Sequence, residues 1–171
     1  MREHVGEEAE LFNSPLETGI RALILLDAIY PRSCDLMEMT WFDHLVVHTA
    51  DLEGLGGQHA PSSLHPALPG RDGELFVRRR LVEQSLRLMQ EVHLIDVSSE
   101  EDGVFFIASE DAPSFLDMLQ APYTLELKQR AGWLAEHVRE LPSKEFASLV
   151  EAKVGRWTAE FGLSERPGDF A

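Results

Sequence analysis

The sequence predicts a mainly α fold: a winged helix-turn-helix with a two-stranded wing, followed by a C-terminal helical hairpin. Three observations predict it. An arginine-laden amphipathic stretch runs from Asp72 to Leu94, a short β-hairpin pattern follows over Ile95 to Ala108, and Ser109-Glu110-Asp111 then opens a helix through Leu119. Helix, wing and helix in that order form a module that grips nucleic acid or docks on other proteins.

Each element has a local cause. Ser14-Pro15 with Glu17 three residues after the Ser supplies an N-cap, a proline at the first helical position and a capping box, and the helix ends before Pro31. Ile20, Leu23 and Ile24 fall on one side of this helix, while Leu25, Leu26, Ala28 and Ile29 cover the rest. A helix apolar all round must be covered all round. Leu25, Ile29 and Tyr30 are therefore expected to meet another chain, and Trp133, which lies off the stripe of its own helix, joins them as a partner-binding candidate. A second helix is expected from Asp35 to Thr49. Gly, Pro, Ser and His then dominate residues 50–72, a composition that sustains neither a helix nor a central strand.

In the third helix Leu75, Leu81, Val82, Leu86, Leu88, Met89 and Val92 share one half of the wheel; Arg78 and Ser85 interrupt it. Arg79, Arg80 and Arg87 lie on the open half with Glu83 and Glu91, as a basic face for protein or DNA contact. Arg78, inside the apolar half, requires a buried or interfacial ion pair, with Asp27 or an acid of a partner as its counter-charge. Apolar and β-branched runs around Asp102-Gly103 signal the hairpin. Leu127, Ala131, Leu134, Val138 and Leu141, then Phe146, Val150, Val154, Trp157 and Phe161, make the stripes of two last helices, which should pair antiparallel across Leu141-Pro142-Ser143. The organisation expected is an acidic arm over 1–12, a winged-helix domain over 13–120 with a loop insertion at 50–72, a helical hairpin over 121–163 and a frayed tail over 164–171.

Composition limits the function. The chain has 171 residues, 44% hydrophobic and 26% charged, enough for a real core. Its formal net charge of −15 disfavours a free-standing nucleic-acid binder, since Lys and Arg on phosphates supply most non-specific affinity. The single cysteine, Cys34, excludes an internal disulfide framework. The longest apolar run, Ala22 to Ile29, is broken by Asp27 and is too short for a membrane span. The opening MREHVGEEAE lacks the basic-then-apolar order of a signal peptide, so a cytoplasmic location is expected.

Several residue sets are of types that can carry chemistry. His44 and His48 share a helix face near Asp43, His59 and His65, but the run HLVVH lacks the Glu of HExxH and no motif fixes a third ligand, so hydrogen-bonded structural histidines are the cheaper reading. Asp43-His44 with Ser62 or Ser63 has no nucleophile-elbow glycines around it. Glu100-Glu101-Asp102 and Glu110-Asp111 suit a solvated turn and a helix start better than Mg²⁺. Gly54, Gly56 and Gly57 lack the lysine of a phosphate loop, and Cys34 reads as a packed thiol. No catalytic residue, metal ligand or cofactor is expected.

Short blocks in a fixed order carry a resemblance. Phe12-Asn13-Ser14-Pro15, Gly19, Arg21-Ala22, Leu25-Leu26-Asp27, Asp43 to Thr49, Ser63 to Arg71, Val77 to Leu81, Ser109 to Leu119 and Pro122-Tyr123 resemble the middle components of ABC-three-component systems, Lamassu-type antiphage defence among them. The resemblance covers roughly residues 12–137. It implies a small winged-helix accessory subunit that partners an SMC/Rad50-like ABC ATPase and an effector, often a nuclease. The function expected is a non-catalytic adaptor that bridges the two and helps to control the effector, with DNA touched weakly or only within the complex and no membrane contact. A winged-helix transcription regulator is the alternative.

Overall fold

The computed structural model describes residues 14–66 and 74–154. The expected arm over 1–12, residues 67–73 of the loop, Trp157, Phe161, the tail, and the side chains of Leu75 and Val154 lie outside the described residues. Among the described residues, six α-helices and one two-stranded antiparallel sheet follow in the order α1 (Pro15–Ala28), α2 (Leu36–Val47), α3 (Glu74–Glu91), β1 (Ile95–Glu100), β2 (Gly103–Ala108), α4 (Ala112–Asp117), α5 (Pro122–Val138) and α6 (Ser143–Val154). The fold class is mainly α.

The first two helices start where their sequences place N-caps. Ser14 Oγ accepts from the Glu17 N–H at 3.2 Å, with Pro15 opening α1, but the Glu17 side chain does not return the bond, so the expected capping box is only half formed. Asp35 closes a reciprocal capping box with Glu38 at the start of α2. At the end of α3 the Leu94 N–H reaches the Met89 carbonyl at 2.9 Å and the His93 N–H reaches Gln90 at 3.0 Å. With His93 at φ 62°, this is a Schellman turn, and its paired apolar residues are Met89 and Leu94. The turn feeds β1, whose register pairs Ile95 with Ala108 and Glu100 with Gly103. Glu101 and Asp102 make the turn, while Gly103, at φ +134°, enters β2.

The helix after the hairpin is shorter than expected. Ser109 does not cap it: its hydroxyl donates to the His93 carbonyl at 2.8 Å and accepts from the Asp111 N–H at 3.3 Å, tying the end of β2 to the end of α3. Asp111 stands at the N-cap without a side-chain bond, and α4 stops at Asp117.

The chief departure concerns α1. Ala22, Leu23, Ile24, Leu25 and Leu26 are all within 2% of full burial, because α1 is the central helix and packs against α2, α3, α4, α5 and β2. The covering that an all-apolar helix demands is supplied by the chain itself. One hydrophobic cluster runs from α1 through α2, α3, the sheet and α5 to α6, where Phe146 stacks on Phe42 at 4.4 Å and meets Trp41 edge-on at 5.9 Å. Thus α6 packs on α2, and the antiparallel pairing of α6 with α5 expected from the tight Leu141-Pro142-Ser143 link is not formed among the described residues.

Helices α1 and α3 approach each other closely at Gly19. A Cβ on Gly19 would lie 2.7 Å from Met89 Cε and 3.3 Å from the Ser85 carbonyl oxygen. Ser85 is buried there, its hydroxyl satisfied by the carbonyls of Leu81 and Val82, so a small polar residue on the apolar half of α3 makes room without leaving a free donor. Gly19→Val should therefore destabilise the protein by roughly 1–3 kcal/mol through overpacking, whereas Gly19→Ala should cost less, since Met89 can swing aside and alanine favours the helix. Urea unfolding of both variants checks this, and a wild-type midpoint for the valine variant would contradict it.

Candidate functional site

The polar centre is built from α1, α2 and α3. Asp43 of α2, 1% exposed, receives Arg21 of α1 at 2.6 Å through Nε and at 3.3 Å through Nη2, and Arg78 of α3 at 2.6 Å through Nη1. Burial alone would raise the Asp43 carboxyl; Arg21 first, then Arg78, overcome that and hold it below the ordinary carboxylate value. The counter-charge of Arg78 is therefore Asp43 and not Asp27. Asp27 is partly buried near Asp117 and Lys128.

Histidines flank this centre. His44 Nε2 lies 2.9 Å from Asp51 Oδ2, its ring stacks on His48 at 4.3 Å, and His48 meets His65 edge-on at 6.1 Å. His65 Nε2 lies 2.8 Å from the Tyr123 hydroxyl of α5. Burial, then the charge of His44, pushes His48 down to about 3; burial, then the charge of Arg21, pushes His65 down to about 4. Both are neutral near pH 7. Neutral imidazoles suit a metal, but among the described residues no group of three His, Cys, Asp or Glu side chains could hold one.

The Gly- and Ser-rich segment after α2 is pinned to this cluster. Thr49 Oγ1 donates to the Pro61 carbonyl at 2.8 Å, the N–H groups of Leu64 and His65 both reach the Val47 carbonyl, and Arg130 Nε donates to the Ser62 carbonyl at 2.8 Å. Two short 3₁₀ turns, Thr49–Leu52 and Leu55–Gly57, occupy part of what composition marked as loop, with Leu52 fully buried. Asp43 and Ser62 are thus parts of a structural network: Asp43 is saturated by two guanidiniums, and Ser62 Oγ accepts from Arg130 at 3.2 Å.

The remaining candidates fall in different places. Leu25 and Ile29 are each 1% exposed, which removes the reason for placing them at an interface. Tyr30 is 56% exposed at the end of α1. Trp133 is half-buried and packs on His137 at 4.7 Å. On α3, Arg80 and Arg87 are exposed and Arg79 is half-buried. Arg87 pairs with Glu83 at 2.9 Å, and Arg79 and Arg87 line a cleft of about 540 Å³ with Asp35, Met37, Val97 and Phe106. That cleft carries both signs of charge.

Arg21 was not singled out from the sequence, although it is an arginine among apolar residues of its helix, the same signal that marked Arg78. Arg32 went unnoticed too. It joins the α1–α2 turn to the rest by reaching Glu38 at 2.8 Å and the Leu141 carbonyl at 3.3 Å.

Fold and centre together define a mainly helical protein with one antiparallel β-hairpin, whose buried charges are spent on holding four helices and a loop together. Residues 11–160 match the family model described as ABC-three component (ABC-3C) system Middle Component 2. The match spans most of the chain, and the chain belongs to that family. No curated protein and no solved structure matches it.

Proposed function

We propose that this chain is a non-catalytic adaptor of a bacterial antiphage or anti-plasmid defence complex of the Lamassu type, bridging an SMC/Rad50-like ABC ATPase and an effector nuclease in the cytoplasm. The observation that carries this reading is the middle-component family match over residues 11–160. The adaptor helps to keep the effector poised until foreign DNA engages the ATPase. Among the described residues no helix is long and apolar enough to cross a membrane.

The side chains support a non-catalytic role. The Asp43 carboxylate, held by two arginines, is a poor base. The Cys34 thiol is buried and its pKa is pushed well up, first by burial and then by Glu38, so it is a poor nucleophile. We read α3, the hairpin and α4 as a winged-helix module used for protein contact. A transcription regulator would need a basic reading surface. Here, Glu83 neutralises Arg87, and between Arg87 and Lys128 the sequence has nine Asp or Glu and no Lys or Arg.

Co-expression with the proteins encoded alongside it, followed by affinity capture on this chain, tests the reading. A large ABC ATPase in stoichiometric yield is the expected result. Tight, sequence-specific DNA binding by the chain alone would favour the regulator. Hydrolysis of nucleotide or nucleic acid by the chain alone, lost in His44→Ala, would overturn the non-catalytic assignment.

A further inference from the structure

An apolar groove of about 330 Å³ opens between the start of α1, the end of α3 and α4, lined by Leu16, Leu88, Met89, Val92, Leu94 and Phe115. Leu16 is 56% exposed and Val92 is 52% exposed, so two aliphatic side chains of the lining face solvent. Val92, just past the end of α3, continues the apolar half of its wheel, yet the described residues leave it half in solvent. The Schellman turn at His93 and the bond from Ser109 to the His93 carbonyl fix this end of α3, so the groove is preformed.

Its surroundings are acidic. Glu91, itself exposed, precedes Val92, and Asp111, exposed too, stands one helical turn before Phe115, its carbonyl accepting from the Phe115 N–H. The cations that flank the Val92–Phe115 stretch in sequence, Arg87 and Lys128, are both engaged. Arg87 pairs with Glu83 at 2.9 Å, and Lys128 Nζ donates to the carbonyls of Leu116 and Leu119 at 2.6 and 2.9 Å. The chain's own first residues carry Glu3, Glu7, Glu8 and Glu10 against Arg2, and a second copy would bring a net charge of −15. Both are repelled by such a rim, whereas a basic segment is attracted.

We propose that this groove docks a basic amphipathic helix of a partner subunit, its apolar face on Leu16, Val92 and Phe115 and its Lys and Arg against Glu91 and Asp111. The proposal rests on the adaptor reading and names the surface through which one partner is held.

The test uses the full chain co-expressed with the proteins encoded alongside it. Leu16→Lys with Val92→Lys should weaken partner capture at least tenfold while melting close to wild type, because both side chains are half in solvent. Glu91→Gln with Asp111→Asn, which leaves the apolar lining intact, should flatten the salt dependence of capture between 50 and 500 mM NaCl. A photo-crosslinker at position 92 should mark a Lys- and Arg-rich segment of the partner. If wild type captures the ATPase or effector and the lysine variant captures it equally, the groove proposal is overturned and the adaptor reading stands. If wild type captures neither, both fall. A wild-type dimer in light scattering that Val92→Lys dissociates, or a crosslink from position 92 to residues 1–13 of the same chain, would assign the groove to a second copy or to the N-terminal segment and overturn the proposal.

Discussion

Asp43→Ala is expected to lower the melting temperature by roughly 10 °C or more, the largest effect of any single substitution at the polar centre. The carboxylate is buried and holds two guanidiniums, each at 2.6 Å. Its removal leaves two cations 2% and 11% exposed with their shared counter-charge gone. Breaking a buried ion pair from one side costs about 3–5 kcal/mol, and each kcal/mol shifts the melting point of a chain this size by about 2–4 °C. Asp43→Asn keeps the shape but loses the charge, and should fail almost as badly. Replacing all three members with Arg21→Met, Asp43→Leu and Arg78→Met should recover much of the loss, since no buried charge then lacks a partner. Arg87→Ala, which breaks an exposed pair on the same helix as Arg78, should shift stability by no more than about 0.5 kcal/mol. Thermal melts followed by circular dichroism decide the matter. An Asp43→Ala protein that melts within two degrees of wild type would mean that the triad is not formed in solution.

Features governed by nearby residues were legible in the sequence. Ser14 with Glu17, and the runs on either side of Glu101-Asp102, act within a few residues of themselves, and the structure places those helix starts and that hairpin where the residues put them. What periodicity could not reveal is which surface covers which. The all-apolar character of α1 was plain, but whether another subunit or the rest of the chain surrounds it depends on the placement of five other elements. The burial of Leu25 and Ile29 follows from that placement alone.

The polar centre shows the same limit. That Arg78 needs an acid follows from its helical phase; that the acid is Asp43, 35 residues away, depends on how α2 crosses α3. The sequence did hold a further clue. Arg21 and Arg78 are both cations on apolar helix faces, Asp43 is an acid among apolar neighbours, and a single carboxylate can serve both arginines. Taking Asp43 with His44 as a candidate for chemistry hid that simpler pairing. The pinning of the loop by Thr49, Ser62 and Arg130 left no local trace, because Arg130 is separated from Ser62 by 68 residues.

Acid should destabilise the protein well before its carboxylates titrate, and the two depressed histidines predict where. In an unfolded chain a histidine takes up its proton near pH 6.5. In the folded protein His48 waits until about 3 and His65 until about 4. Between those limits the unfolded state binds protons that the folded state refuses, so stability rises with pH across the window. Their contribution is complete above about 6.5 and is lost as the pH falls towards 4. With His65 in partial contact with solvent, together they should cost at least about 2 kcal/mol by pH 4.5, after allowance for screening, or several degrees of melting temperature. The Asp43 centre should hold through this window, because its carboxylate titrates below the ordinary range. Protonation of surface carboxylates relieves self-repulsion in a chain of net charge −15 and acts in the opposite direction at the acid end, so the control must be internal. Melting temperatures of wild type and of His48→Gln with His65→Gln, taken at pH 7.5, 6.5, 5.5 and 4.5, provide it. Wild type should lose stability steeply below 6.5 and the double variant only gently. Parallel losses in the two proteins would place the acid sensitivity elsewhere in the fold.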